Sequence, residues 1–302
     1  MRFVLRITAQ TVQRTATSPE AILEECFYVM ETYIHKLWSR LIIIAYMPSN
    51  HNSRILDQFT RQAAPFAAAA AIRNQEVLDR IVQWAGAGPE DTVLDVACGP
   101  GLLACAFAKV AKHAIGIDMT PAMLEQARKT QEEQGLQNLS WQQGDVYSLH
   151  FPPSQFSIVS SRFVFHHLQD PLAALKEMKR VCQPGGKIVV ADMAPQPAKV
   201  DALNAAEKLR DPSHVRALPV DELRGLFQQA GLDAPQINSY RMEGELEDLL
   251  SRSFPKDGDA DRVRKVYAES ISDNALDLNT RRDDGKIFYS LPVAVLVGQG
   301  NN

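Results

Sequence analysis

Residues 92–101 read Thr-Val-Leu-Asp-Val-Ala-Cys-Gly-Pro-Gly, and this stretch limits the folds open to the chain more than any other. Thr92–Val96 is short, apolar and β-branched, the pattern of a strand buried on both faces of a parallel sheet. Cys98-Gly99-Pro100-Gly101 breaks that pattern, and the Ala- and Leu-rich run 102–113 predicts a helix. A strand, a glycine turn and a helix in succession let backbone approach a ligand with no Cβ in the way. The partly positive helix N-terminus favours an anionic or polar group there.

The rest of the chain repeats the theme. The stretches 114–118, 139–143, 156–161, 187–193, 237–242 and 292–298 read as strands, and amphipathic stretches at 53–71, 74–85, 121–134, 172–182 and 218–230 predict helices. Strands alternating with helices indicate an α/β fold. Leu246, Leu249, Leu250 and Phe254, then Val263, Val266, Tyr267 and Ile271, recur at helical spacing and predict two helices inserted before the last strand. They form either a cap over the active site or a homodimer contact. We divide the chain into an N-terminal extension, 1–46, and one domain, 47–302. The domain has a core of 88–243 plus 287–300 and a helical insertion at 244–280.

Composition excludes several classes. The formal net charge of −4 disfavours a nucleic-acid partner, which needs clustered Lys and Arg. The longest apolar run, 41–46, falls far short of the roughly 20 residues of a membrane span. Cys26, Cys98, Cys105 and Cys182 have no paired metal spacing, so reduced thiols in a cytoplasmic protein are expected. Asp257, Asp259 and Asp261 lack the glycine and distal Glu of a calcium loop. In the extension, Arg2, Arg6 and Arg14 without acids faintly resemble a transit peptide, and 21–37 is patterned as an amphipathic helix. We favour Met47 as the natural start, because the patterned sequence begins directly after it.

The 92–101 stretch closely resembles the first motif of the class I S-adenosylmethionine-dependent methyltransferases, the ubiquinone/menaquinone-biosynthesis methyltransferase-like subgroup above all. The likeness runs over about residues 55–240 and the last strand. It implies a Rossmann-like, seven-stranded, mostly parallel sheet with an antiparallel last strand and helices on both faces. It implies S-adenosyl-L-methionine as cofactor, S-adenosyl-L-homocysteine as product, and methyl transfer to a small-molecule acceptor by in-line displacement, with no metal. The rival is a nicotinamide oxidoreductase, since Gly99-x-Gly101-x-x-Ala104 also satisfies the dinucleotide fingerprint and Asp118 has the spacing of a ribose ligand. A non-catalytic member of the fold is the third reading.

Three features favour the methyltransferase. Asp95 suits a cofactor carrying an ammonium and a sulfonium and would repel a pyrophosphate. Gly144-Asp145-Val146 ends the strand 139–143, where the resemblance assigns Asp145 to the adenine amino group and the Val146 backbone to the ring. The last apolar run, 292–298, fits the antiparallel last strand of a methyltransferase sheet, whereas a dehydrogenase would need a second, catalytic domain. The resemblance further implies that the backbone of Ala97, Gly99 and Gly101 faces the cofactor and that Asp118 holds its ribose. Met119 and Met123 would sandwich the adenine. The Arg162 backbone would sit by the methionine part, with the Phe163 ring toward the sulfonium. Phe66, with Phe59 and Gln62, would line a lid helix. His166 or His167 is the candidate base, only one being expected to face the pocket because adjacent residues diverge on a turn. Arg210, Asp211 and His214 border the expected substrate mouth.

Overall fold

The computed structural model describes residues 50–300. The N-terminal extension, with its 21–37 helix and Cys26, lies outside the described residues. Eight strands form one sheet in the order β3-β2-β1-β4-β5-β8-β6, with β7 pairing β8 off this path. The strands are β1 Thr92–Val96, β2 His113–Asp118, β3 Leu139–Gln143, β4 Phe156–Arg162, β5 Cys182–Met193, β6 Gln236–Glu245, β7 Arg281–Asp283 and β8 Lys286–Gln299. The first five are mutually parallel, and β8 runs antiparallel to both β5 and β6. All seven strands read from the sequence are present. The eighth, β7, is a short hairpin arm whose turn carries Asp284 at φ 44° and Gly285 at φ 76°. Two successive positive φ values are what a tight hairpin turn requires and what Asp-Gly supplies.

Burial on both faces follows from alternation along each strand. Val93, Val189, Ala191, Val293 and Val295 pack on one side of the sheet, and Leu94, Ile188, Val190, Ala294 and Leu296 on the other. The first face is covered by α2 Gln75–Ala85, α3 Leu102–Ala108, α6 Val200–Arg210, α8 Leu246–Ser251 and α9 Asp259–Asp273. The second is covered by α5 Pro171–Val181 and α7 Val220–Gln229. Caps set the ends: Asn74 accepts from Val77 N at the start of α2, Asp170 accepts from Ala173 N at the start of α5, and Pro121 opens α4 Pro121–Glu133.

Two boundaries differ from the sequence reading. The helix expected over 102–113 ends at Ala108, because His113 already pairs with Thr92 as the first residue of β2. In α9, Val263 and Tyr267 are buried as expected, but Ile271 is 38% exposed; the helix has rotated that position off the core. No helix among the described residues is long and apolar enough to cross a membrane.

Candidate active site

The parallel strands all point their carboxyl ends at one edge, and in such sheets that edge is where ligands bind. β1 delivers Asp95 and then the glycine loop. Ala97, Gly99 and Gly101 all have positive φ, at 52°, 53° and 76°. Their reasons differ. A Cβ at Gly99 would meet nothing within 4 Å, so space lies open above it. One at Gly101 would stand 2.3 Å from the Trp141 ring, so Gly101 is there for packing. Gly144 is likewise pressed on Ile117.

Asp118 closes β2 and ties the loop down. Its Oδ2 accepts from Gly99 N at 2.9 Å and its Oδ1 from Thr120 N at 2.8 Å. Burial raises its pKa, and those two N–H groups draw it partly back. Asp95 is buried inside the sheet, where Ser160 Oγ donates to its Oδ1 at 2.7 Å. Burial pushes its carboxyl up to about 7, against the Ser160 bond and the charge of Arg162. It is therefore half-protonated near neutrality, where the sequence suggested a permanent anion. Asp145 turns the chain after β3, its Oδ1 accepting from Tyr147 N, with Gly144 and Val146 half-buried beside it. Met119 is half-buried at the end of β2, and Met123 is fully buried in the first turn of α4.

Arg162 ends β4. Its Nη1 donates to Ile72 O, while Nε and Nη2 are buried without a partner. Its guanidinium lies 4.7 Å from the centre of the Phe163 ring. The ring read as facing a sulfonium thus already carries a protein cation on one face.

Beside this edge lies a cavity of about 640 Å³, its open mouth included, lined by residues from α1 Asn50–Ala68, the β4–α5 turn, α6, α8, α9 and β8. Phe59, Gln62 and Phe66 of α1 all line it, together with Phe163. The helix buries two glutamines on this side. Gln58 Nε2 donates to Ser253 O, and Gln62 Nε2 to both Ser253 O and Asp211 Oδ2, each at 3.2 Å. Replacing Gln62 by leucine is expected to cost about 1–3 kcal/mol of stability, since a buried carboxylate loses a donor. Thermal unfolding measures this, and an unchanged Tm would remove the latch.

His166 and His167 both line the cavity, correcting the expectation that only one would. They occupy a single 3₁₀ turn, Phe165–His167, and their rings lie side by side, centroids 4.1 Å apart and tilted 45° to each other, instead of diverging. His166 Nδ1 lies 2.5 Å from Asp192 Oδ1, and Asp192 also accepts from the backbone N–H groups of Val164, Phe165 and Met193. His167 Nδ1 meets Ser213 Oγ at 3.1 Å, and Ser213 donates to Asp211. Burial and the neighbouring His166 push the His167 pKa down to about 3, so this ring stays neutral.

Arg210 and Asp211 line the cavity as expected, but His214 does not. It is buried behind it, with Nε2 on Asn204 Oδ1 at 2.7 Å. Asp192, Glu207, Arg252 and Tyr289 were missed. Asp192 carries the signal used for Asp95 and Asp118, an acid near the carboxyl end of an apolar strand. The other three have no local signature.

The Methyltransferase domain family model matches residues 94–190. The chain is 30% identical over 223 residues to the uncharacterized methyltransferase YcgJ of Bacillus subtilis, covering 72% of this chain and 87% of that one. It is 34% identical over 153 residues to the ubiquinone/menaquinone biosynthesis C-methyltransferase UbiE of Bdellovibrio bacteriovorus, covering 48% and 65%. The crystal structure of YcgJ superposes with a TM-score of 0.68 at 27% identity, over 75% of this chain and 99% of that one. That of a putative methyltransferase from Bacillus halodurans superposes with a TM-score of 0.69 at 25% identity, over 75% and 100%.

Proposed function

Because the chain belongs to the class I S-adenosylmethionine-dependent methyltransferases, we propose that it methylates a small molecule bound in the cavity beside the glycine loop, with His166 as general base. The observation that carries this reading is the cavity itself. It is a recess walled by α1 and α8 and lined by aromatic side chains with a few buried polar groups, the character of a small-ligand site.

The residues at the sheet edge fit S-adenosylmethionine. Open space above Gly99 gives the cofactor room, and the unpartnered Nε and Nη2 of Arg162 are donors for its carboxylate. Asp118 would hold the ribose hydroxyls. Asp145, the Val146 backbone, Met119 and Met123 would hold the adenine, and Asp95 would face the ammonium. When bound, the cofactor supplies an electrophilic methyl group whose sulfonium leaves as a neutral thioether.

The protein's own work is positioning and proton handling. Phe59, Phe66 and Phe163 exclude water from the cavity. Asp192 fixes the His166 ring by its bond to Nδ1, which leaves Nε2 as the basic atom in the cavity. His166 Nε2 takes the proton from the acceptor's nucleophile, and Asp192 stabilises the imidazolium that results.

The test is incubation of the full chain with methyl-labelled S-adenosylmethionine and fractionated small-molecule extracts. Labelled product supports the reading; none from any fraction, with cofactor binding intact, overturns it. Asp118→Ala is expected to weaken S-adenosylhomocysteine binding by about 1–3 kcal/mol. Unchanged affinity by calorimetry would remove Asp118 from the site.

A further inference from the structure

Among the described residues, the cavity wall holds one buried charge whose only carboxylate partner is exposed to solvent. Two carboxylates and two guanidiniums line it: Glu207, Arg210, Asp211 and Arg252. The first three satisfy one another. Arg210 Nε and Nη2 lie 2.9 and 2.5 Å from Glu207 Oε2. Asp211 takes the N–H and hydroxyl of Ser213 and the amide of Gln62, and lies 3.9 Å from Arg210. Burial draws the Arg210 pKa down, but these two carboxylates outweigh it and hold it above its ordinary value.

Arg252 is different. It follows the last residue of α8 and is 6% exposed. Among the described residues it has one carboxylate within 4.0 Å, Asp248, at 3.4 Å from Nε, and that side chain is 60% exposed. Its Nη2 is buried and makes no hydrogen bond. Tyr289 of β8, also in the cavity wall, is 2% exposed, and its Oη is likewise buried and unbonded. Burial raises the pKa of this phenol and the Arg252 guanidinium draws it back, so the two groups are neighbours.

The Arg252 guanidinium and the Tyr289 hydroxyl are both desolvated, and even where the first donates to the second, the hydroxyl hydrogen has no acceptor and the guanidinium no buried counter-charge among the described residues. A water would satisfy the hydrogen bonds and leave the charge unmatched, whereas a buried cation is costly unless paired. We propose that the methyl acceptor is an organic acid whose carboxylate binds between Arg252 Nη2 and Tyr289 Oη, with its apolar body against Phe59, Phe163, Met193 and Leu291. The inference rests on the cavity being the acceptor site. It makes the inserted helix α8 the element that selects substrate.

The experiment is calorimetry on the full chain saturated with S-adenosylhomocysteine. The probes are aryl and alkyl carboxylates bearing a hydroxyl or amine, such as 4-hydroxybenzoate and p-coumarate, each paired with its carboxamide. The preceding titration with S-adenosylhomocysteine tests the cofactor site separately. At least one acid is expected to bind tenfold or more tighter than its amide. That advantage is expected to fall below threefold in Arg252→Gln and to shrink in Tyr289→Phe, which removes a single oxygen and keeps the ring packing. A panel in which no acid outbinds its amide overturns the proposal. So does an advantage that survives in both variants.

Discussion

His166→Asn is expected to lower kcat by about 10²–10⁴-fold while leaving the affinity for S-adenosylhomocysteine unchanged. Asparagine is chosen because its Nδ2 can replace the imidazole Nδ1–H opposite Asp192 Oδ1, where the wild-type separation is 2.5 Å. The buried carboxylate then keeps its partner and the fold is retained, but the basic Nε2 is gone. His167→Asn is the internal control. That ring is held neutral by burial and bonds inward to Ser213, so its loss should change kcat by less than about fivefold. The measurement is turnover with the acceptor found in the labelled-methyl screen, alongside cofactor titration. Equal, mild losses in both variants would return the two histidines to a packing role.

Asp95→Asn is expected to stabilise the cofactor-free protein at pH 8 and to do so by less than half as much at pH 5. Burial raises this carboxyl from its ordinary 3.8 to about 7, with Ser160 and Arg162 opposing. Between those values the folded chain holds a proton that the unfolded chain has released. Stability from this group therefore falls as pH rises through the window, and the full cost is present above pH 7. The upper bound is about 4 kcal/mol. Asparagine has the same shape, still accepts from Ser160 Oγ, and does not ionise. Calorimetric unfolding at the two pH values measures the difference, and an equal shift at both would show that the gain is not electrostatic. If a cationic cofactor group sits beside Asp95, wild-type affinity should also rise between pH 6 and 8, and the rise should be absent in the variant.

The parallel strands other than β3, Leu-Ser-Trp-Gln-Gln, were legible because each carries an apolar stretch with a turn signal after it. The glycine loop was legible because few backbones need Gly99 and Gly101 two residues apart. The β7–β8 hairpin went unread although Asp284-Gly285 marks its turn, because β7 has three exposed, charged residues and no apolar alternation. The pairing of His166 with His167 was misjudged because helical divergence was assumed. A 3₁₀ turn anchored by Asp192 keeps the tilted rings in contact instead.

The chain's own order of residues determined the sheet, the cofactor loop and the acids along its edge, since periodicity and turn chemistry are local properties that neighbours in sequence impose on one another. Only the tertiary structure decided what the cavity is. Gln62, His166, Asp211, Arg252 and Tyr289 come from five separate segments. Whether a buried group is matched or left waiting for a ligand depends on which atoms stand within about 3 Å of it. Glu207 and Arg252 are both charged residues on or next to an amphipathic helix in the sequence, and the fold neutralises the first and leaves the second without a buried counter-charge.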